Sequence, residues 1–260
     1  MRLAVCSSKG GVGKTTMAAN LAAVLGARGR TLAVDADPQD SLGRAFGVVA
    51  AGPADSLAGL LADSEADAQA DVRQVLRRDV APGVDLLPSH PSLEAAGLRL
   101  AAQGGLTSSI RRVLRPLLAG YDHVLLDTHG DLGNLTLAAV CAADAVLTVF
   151  TSDPGSALGA ARVSAFLRQH RAFENTDAEL VGVACSLWDR QGRAAKEVLG
   201  ALEGTDLRVL DTRIPLSRRV PSSTLAKRPV VLTNPSTPVA LAYLDLADEV
   251  LASYSKRVAA

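Results

Sequence analysis

The sequence contains few cysteines, and their positions argue against two classes of protein. Cys6, Cys141 and Cys185 are the three cysteines among 260 residues. Each lies within or beside an apolar run, and their spacing matches no metal site. This pattern excludes the disulfide framework of a small secreted domain and a cysteine-bound metal centre. We expect three reduced, buried thiols in a cytosolic protein.

The chain also lacks a net charge and long hydrophobic runs. Lys plus Arg and Asp plus Glu number 27 each, so any nucleic-acid binding must come from a local patch rather than from a global field. No uninterrupted apolar run is long enough to span a bilayer, and no basic segment precedes an apolar one at the N-terminus. These absences predict a protein that is neither secreted nor membrane-spanning.

Repeats and long low-complexity linkers are absent as well. With 48 % hydrophobic residues, the chain can bury one sizeable core, and α/β folds of this length commonly form one domain. We therefore expect residues 1–260 to form a single domain. The first strand-like run begins almost at residue 1, which predicts that no helix-turn-helix module precedes it.

Short apolar runs alternate with helical patterns along the chain. The runs typical of fully buried parallel strands cover residues 3–6, 31–34, 84–87, 123–126, 145–150 and 180–185, with a weaker one at 208–210. This alternation predicts an α/β fold with a mostly parallel twisted sheet, helices on both faces, and ligands at the carboxyl ends of the strands. The segment from residue 50 to residue 79 is rich in Ala and acidic residues, and we interpret it as short surface helices.

A glycine-rich loop follows the first run and carries the strongest functional signal. Its glycines allow successive backbone N–H groups to turn toward a polyphosphate, and the next helix directs the positive end of its dipole to the same anion. Lys14 is placed to reach the β- and γ-phosphates, and the Thr15 hydroxyl to contact Mg²⁺. The predicted nucleotide-binding residues of this loop are Gly10, Gly11, Val12, Gly13, Lys14, Thr15 and Thr16.

Carboxylates follow two other predicted strands. Asp35 and Asp37 come after the second strand, and Asp127 comes after the strand at 123–126. Asp37 is the candidate for orienting the attacking water, whereas Asp35 at the strand tip is better placed to hold the phosphate loop or magnesium-bound waters. A turn containing Asp-Pro, without any chemistry, is the alternative for residues 35–39.

Lys9, directly before the glycines, narrows the class of phosphate-loop protein to which the chain could belong. The general phosphate-loop pattern does not require a lysine there, and from that position it cannot easily curl back onto its own phosphates. Together with residues 35–39 (DADPQ) and 127–136 (DTHGDLGNLT), it resembles the deviant Walker A family of P-loop NTPases typified by the ParA and MinD ATPases. A solvated lysine beside an ordinary P-loop is the alternative.

The resemblance assigns roles to these residues. It implies that Lys9 crosses a dimer interface to the nucleotide of the partner subunit, and that Asp37 is catalytic together with Lys9 and Lys14. It also implies that Asp127 holds Mg²⁺ through water, which gives Thr15, Asp37 and Asp127 as the expected magnesium site. Family members usually carry two prolines where this chain has His129 and Gly130, so we expect a more flexible loop. His129 is assigned a tuning or interface role, with catalysis as the alternative.

The resemblance continues more loosely through the C-terminal half. It implies adenine contacts near Trp188, Asp189 and Pro215, and a basic dimer surface that grips DNA without reading its sequence. The candidate DNA contacts are Arg190, Arg193, Arg218, Arg219, Lys227 and Arg228. Lys256 and Arg257 belong to the same basic third of the chain, and solvated surface charge is the alternative for every member.

The resemblance therefore predicts a small ParA-type partition ATPase in the cytoplasm, associated with the nucleoid. It would use ATP and Mg²⁺, dimerise with ATP, bind nonspecific DNA, and hydrolyse ATP slowly until a ParB-like or adaptor protein stimulates it to move plasmid or chromosome cargo.

Three alternatives remain at the level of sequence. One is the positioning of a protein assembly. A MinD-type membrane regulator is disfavoured because residues 251–260 lack bulky apolar anchors. A metabolic or redox P-loop enzyme is the third, for example a relative of dethiobiotin synthetase or of the nitrogenase iron protein, although the latter needs cluster cysteines that are not apparent.

Overall fold

The computed structural model describes residues 1–62, 72–153, 155–189 and 193–258. The strands are β1 (Arg2–Cys6), β2 (Thr31–Ala36), β3 (Arg77–Ala81), β4 (Val84–Leu87), β5 (His123–Thr128), β6 (Ala145–Phe150), β7 (Glu179–Trp188) and β8 (Val209–Pro215). The helices are α1 (Lys14–Gly26), α2 (Ser41–Ala45), α3 (Leu57–Ala62), α4 (Val72–Val75), α5 (Leu93–Ala102), α6 (Leu106–Leu114), α7 (Asn134–Ala142), α8 (Ser156–Ala172), α9 (Arg193–Glu203), α10 (Arg219–Leu225), α11 (Val230–Thr233) and α12 (Pro238–Val258). None of the described helices combines the length and the apolar content that crossing a bilayer requires.

The eight strands form one sheet in the order β3-β4-β2-β5-β1-β6-β7-β8. Every neighbouring pair is parallel except β3 with β4. Parallel register brings the carboxyl ends of β1, β2 and β5 to the same side of the sheet, because Asp127 stands opposite Val5 in one neighbouring strand and Asp35 in the other. We call this side, where the parallel strands end, the carboxyl edge, and the side where they begin the amino edge. The expected α/β fold with a mostly parallel sheet is confirmed.

Helices cover both faces of the sheet because side chains alternate between the faces along each strand. In β1, Leu3 and Val5 belong to the core that packs under α1 and α12, whereas Ala4 and Cys6 belong to the core under α5, α6 and α7. The central strands are buried on both faces, so they appear in the sequence as continuous apolar runs rather than as alternating ones.

The segment between residues 50 and 79 differs from the expectation. Helix α3 is not a surface helix, because Leu57, Ala58, Leu60 and Leu61 are buried in the core under α5 and α6. Residues 63–71 lie outside the described residues. The segment ends in β3, an antiparallel edge strand that pairs with β4.

The three cysteines are free and buried, as the sequence predicts. Burial raises the pKa of the Cys6 and Cys185 thiols to about 12 and that of Cys141 to about 11. Thiols in this state hold almost no thiolate near neutral pH and are poor nucleophiles.

Candidate functional site

The glycine-rich loop connects β1 to α1 at the carboxyl edge of the sheet. Gly11 and Gly13 have φ angles of 76° and 84°, a left-handed conformation that favours glycine. The Ser186 hydroxyl of β7 donates a hydrogen bond to the Val12 carbonyl. The Val12 side chain is buried in the core under α1, so the loop is held from below while its backbone faces outward.

A cleft of about 710 Å³ opens above this loop. It brings together three parts of the chain that the sequence singles out: the glycine-rich loop, the loop after β2 and the loop after β5. Its lining residues from these parts are Gly10, Gly11, Gly13, Lys14, Thr15, Thr16, Asp37, Gln39, His129 and Gly130. Its other wall includes Asn20, Ser41, Arg44, Ser223, Thr224, Arg228 and Pro229.

Asp127 lies fully buried beneath the cleft. Neither of its carboxylate oxygens has a hydrogen bond of normal geometry to a described residue. Burial raises the pKa of Asp127 to about 7, although the nearby Thr15 hydroxyl and Lys14 ammonium pull it down. A buried oxygen pair without partners next to a hydroxyl is a donor set that suits magnesium, which prefers oxygen ligands.

Asp35 is buried beside Asp127 but has partners. Its Oδ1 accepts the Asp37 amide at 3.2 Å, and its Oδ2 accepts the Gly43 amide at 2.9 Å. Burial and the charge of Asp127 hold the pKa of Asp35 well above its usual range. Asp35 thus organises the loop that carries Asp37, and its hydrogen bonds do not go to the glycine-rich loop.

Asp37 contacts the loop after β5. Its Oδ1 accepts the Gln39 amide at 2.8 Å and lies 3.0 Å from His129 Nδ1. Gly130 packs against the glycine-rich loop so closely that a Cβ there would lie 3.1 Å from Gly10 Cα. His129 and Gly130 are therefore packed between the loop after β2 and the glycine-rich loop.

Lys9 stands apart from the residues that line the cleft. Its Nζ lies 3.0 Å from Asp153 Oδ2 in the loop after β6, and both side chains are about half exposed, at 52 % and 49 %. The hydrogen bond from Lys9 lowers the pKa of the Asp153 carboxyl. An ion pair this exposed contributes little stability, so solvent or a new partner can replace either side chain.

The three residues expected near adenine are not among the residues that line this cleft. Trp188 and Pro215 stand opposite each other at the ends of β7 and β8, and Asp189 is exposed. The far wall is instead built by α1 and by the segment from α10 to α11, where the Asn20 side-chain oxygen accepts the Val231 amide at 3.1 Å. Thr224 and Pro229 lie in the C-terminal segment that resembles the family more loosely, whereas no motif marks Ser223, and Asn20 follows Thr16 by one helical turn.

The predicted DNA contacts divide into groups. Arg218 and Arg219 lie at the start of α10 and Lys227 and Arg228 just after it, and all four are exposed and form no ion pair with a described residue. Arg190 and the side chain of Arg193 lie outside the described part.

Lys256 and Arg257 belong to a different surface from that basic strip. They lie in the last turn of α12, where the Arg257 guanidinium contacts Glu179 at the amino end of β7. The opposite edge of the sheet carries the cleft.

The geometry defines a P-loop ATPase with a lysine in front of the glycines. A family described as an AAA domain matches residues 2–180. The chain is 34 % identical over 253 residues to the chromosome-partitioning ATPase Soj of Thermus thermophilus, covering 96 % of this chain and 95 % of that protein. It is 28 % identical over 253 residues to the sporulation initiation inhibitor protein Soj of Bacillus subtilis, covering 96 % and 98 %. The chain belongs to the ParA family of ATPases.

Solved structures agree with this fold. Apo McdA from Cyanothece superposes with a TM-score of 0.85 at 22 % identity, covering 96 % of this chain and 98 % of that one. The cobyrinic acid a,c-diamide synthase of Mycobacterium smegmatis, with ADP and magnesium bound, superposes with a TM-score of 0.82 at 27 % identity, covering 98 % and 95 %. Nucleotide and magnesium binding is thus a property of this group of P-loop proteins.

Proposed function

We propose that this protein is a ParA-type ATPase that dimerises with ATP, binds nonspecific DNA and releases it when a partner protein stimulates hydrolysis. The observation that carries the ATPase part is the buried Asp127 carboxylate, which has no hydrogen bond of normal geometry to a described residue and lies beside Thr15 and Lys14 under the cleft. Leaving a carboxylate in that state costs folding free energy. A site of this kind is retained where a cation completes it.

The residues of the cleft divide the work of hydrolysis. The backbone N–H groups of the glycine-rich loop and Lys14 bind the phosphates, and Asp37 orients the water that attacks the γ-phosphorus. Thr15, Asp37 and Asp127 would hold magnesium directly or through water. Magnesium, when bound, neutralises charge on the phosphate oxygens.

Lys9 acts across the dimer in this proposal. Its place outside the cleft lining and its weak, half-exposed pair with Asp153 leave it free to reach the nucleotide of a second copy. Hydrolysis then requires the dimer, and turnover is slow until a ParB-like or adaptor protein favours the closed state. Lys9→Ala is expected to reduce hydrolysis more than nucleotide binding.

DNA binding is assigned to the basic strip at α10, formed by Arg218, Arg219, Lys227 and Arg228, the last of which also lines the cleft. These exposed cations have no carboxylate partner among the described residues, so they can neutralise phosphates without breaking ion pairs. Two copies in an ATP-bound dimer would double the number of phosphate contacts. Binding should therefore weaken steeply with salt and show no sequence preference.

The decisive experiment measures binding to nonspecific duplex DNA with ATP, ADP or no nucleotide, at about 50 and about 200 mM salt. We expect ATP-dependent binding that salt weakens and that Lys9→Ala abolishes. Arg219→Ala should weaken it, whereas Lys256→Ala, which removes the same charge from the opposite edge of the sheet, should not. Absence of binding in every condition contradicts the DNA part and turns attention to membranes or protein partners.

A further inference from the structure

The contact between His129 and Asp37 goes beyond the roles assigned above. The two residues are 92 positions apart in the sequence, and both line the cleft next to Lys14. Only 11 % of the Asp37 side chain is exposed, and His129 Nδ1 lies 3.0 Å from its Oδ1. The distance is that of a normal hydrogen bond between a ring nitrogen and a carboxylate.

The chemistry of the pair decides which atom donates. An ionised carboxylate only accepts hydrogen bonds, so the proton lies on His129 Nδ1. The Asp37 Oδ1 therefore receives two N–H donors, one from the ring and one from the Gln39 amide at 2.8 Å. Rotation of the carboxylate about its Cβ–Cγ bond would break both bonds at once. Its Oδ2, which has no hydrogen-bond partner among the described residues, keeps a defined direction.

The backbone of His129 is held in place on both sides. It follows Thr128, whose hydroxyl donates to the Val5 carbonyl at 2.9 Å, and precedes Gly130, which packs against Gly10. His129 Nε2 lies 4.0 Å from Asp131 Oδ2, and the other oxygen of Asp131 accepts the Gly133 amide at 2.9 Å. Asp37 thus contacts a ring whose backbone is anchored to β1 through Thr128 and to the glycine-rich loop through Gly130.

We infer that His129 is a positioning residue for hydrolysis: its Nδ1–H fixes the Asp37 carboxylate so that Oδ2 faces the attacking water. The inference rests on the proposed role of Asp37 and adds a residue that acts through it. Misplacement of a reacting group by a fraction of an ångström lowers a rate without weakening substrate binding. The effect of losing His129 should accordingly fall on kcat and not on KM.

Two amide substitutions test whether the hydrogen bond to Asp37 must come from the position of the His129 Nδ1 atom. In His129→Asn the amide nitrogen can occupy the position of Nδ1, whereas in His129→Gln the amide lies near the position of Nε2. We expect His129→Ala and His129→Gln to lower the kcat of ATP hydrolysis about tenfold, with His129→Asn within about threefold of the unchanged chain. The KM for ATP should change by less than about twofold in all three.

The outcomes that overturn the inference are specific. A kcat for His129→Ala within twofold of the unchanged chain does so, and so does an equal loss in all three variants, which would mean that ring volume and not the donor matters. In an Asp37→Ala background, His129→Ala should add no further loss. If the unchanged chain shows no hydrolysis that depends on Asp37, the proposed ATPase site fails instead, which separates the two results.

Discussion

The amino edge and the carboxyl edge of the sheet each contain a buried carboxylate, and the two carboxylates differ in their hydrogen bonds. At the amino edge, Asp85 accepts hydrogen bonds from Tyr121 at 2.5 Å, Arg78 at 2.7 Å, Arg30 at 3.0 Å and the Asp79 amide at 2.9 Å. At the carboxyl edge, Asp127 is as deeply buried and has no such partner among the described residues. The described residues therefore satisfy the hydrogen-bonding capacity of the Asp85 carboxylate but not that of the Asp127 carboxylate.

The pKa values of the two carboxyls move in opposite directions. Burial alone raises the pKa of Asp85, but the hydrogen bonds from Tyr121, the Asp79 amide and Arg78 outweigh it and hold the pKa below its usual value. For Asp127, burial prevails and raises the pKa to about 7. Burial of a carboxylate is therefore not by itself a sign of a binding site, whereas a buried carboxylate without regular hydrogen bonds to the described residues is a candidate for one.

The largest effect is expected from Asp127→Asn. Removing this carboxylate should lower the kcat of ATP hydrolysis about 100-fold or more, because charge stabilisation at the phosphates is lost. At neutral and higher pH the free energy of unfolding without nucleotide should rise rather than fall, because Asp127→Asn removes the cost of burying an ionised carboxylate whose pKa burial has raised to about 7. Steady-state hydrolysis and urea unfolding measure the two quantities. Retained activity would show that Asp127 is not part of the magnesium site.

Asp85→Asn should give the reverse pattern. We expect the free energy of unfolding to fall by about 2 kcal/mol, because Arg30, Arg78 and Tyr121 lose a charged acceptor. The loss is limited because the two arginine side chains are 61 % and 49 % exposed to solvent. The kcat should stay within about twofold of that of the unchanged chain. Loss of activity without loss of stability would contradict the separation of the two edges.

The pH dependence of stability sharpens the same comparison. The pKa of Asp85 is lower in the folded chain than its value of about 3.9 in an unfolded one. Its contribution is therefore complete well above pH 3.9 and disappears as the pH falls through the folded pKa. Urea unfolding between about pH 6 and about pH 3 should show the gap between the unchanged chain and Asp85→Asn narrowing at the acid end. A gap independent of pH would mean that the charge of Asp85 does not matter.

The smallest effect is expected at the exposed ion pair of Lys9 and Asp153. Asp153→Asn removes the partner of Lys9, and both side chains are about half exposed. The free energy of unfolding should change by less than about 0.5 kcal/mol. Thermal unfolding without nucleotide measures it, with Asp85→Asn as the contrasting carboxylate. A larger loss would mean that Lys9 is fixed by its own chain and less available to a second copy.

Local signals in the sequence predict the centre of the sheet and the phosphate end of the site. Strands buried on both faces give continuous apolar runs, and the glycine-rich loop, Asp37 and Asp127 each follow such a run directly. Strand β3 could not be predicted in this way, because it lies at the edge, reads RRDVA and has Asp79 at a φ of 52°. The buried position of helix α3 could not be predicted either, since its apolar residues adjoin an acid-rich segment.

Contacts between distant parts of the chain could not be predicted. The far wall of the cleft depends on the packing of α10 and α11 against α1, which no short motif encodes. The pairing of His129 with Asp37 is of the same kind, because both residues stand out in the sequence but their distance depends on how the loops after β2 and β5 pack. The positions of Trp188 and Pro215 outside the cleft follow equally from the register of β7 and β8.

The tie between β7 and the glycine-rich loop gives the protein a built-in optical probe. Ser186 donates to the Val12 carbonyl, and two residues further along the same strand stands Trp188, the one tryptophan of the chain. A movement of the loop on nucleotide binding would act through that hydroxyl on the end of the strand. We expect the fluorescence emission of this single half-buried indole to change when ATP is added, with no dye attached, and an unchanged emission would mean that the loop does not move the strand.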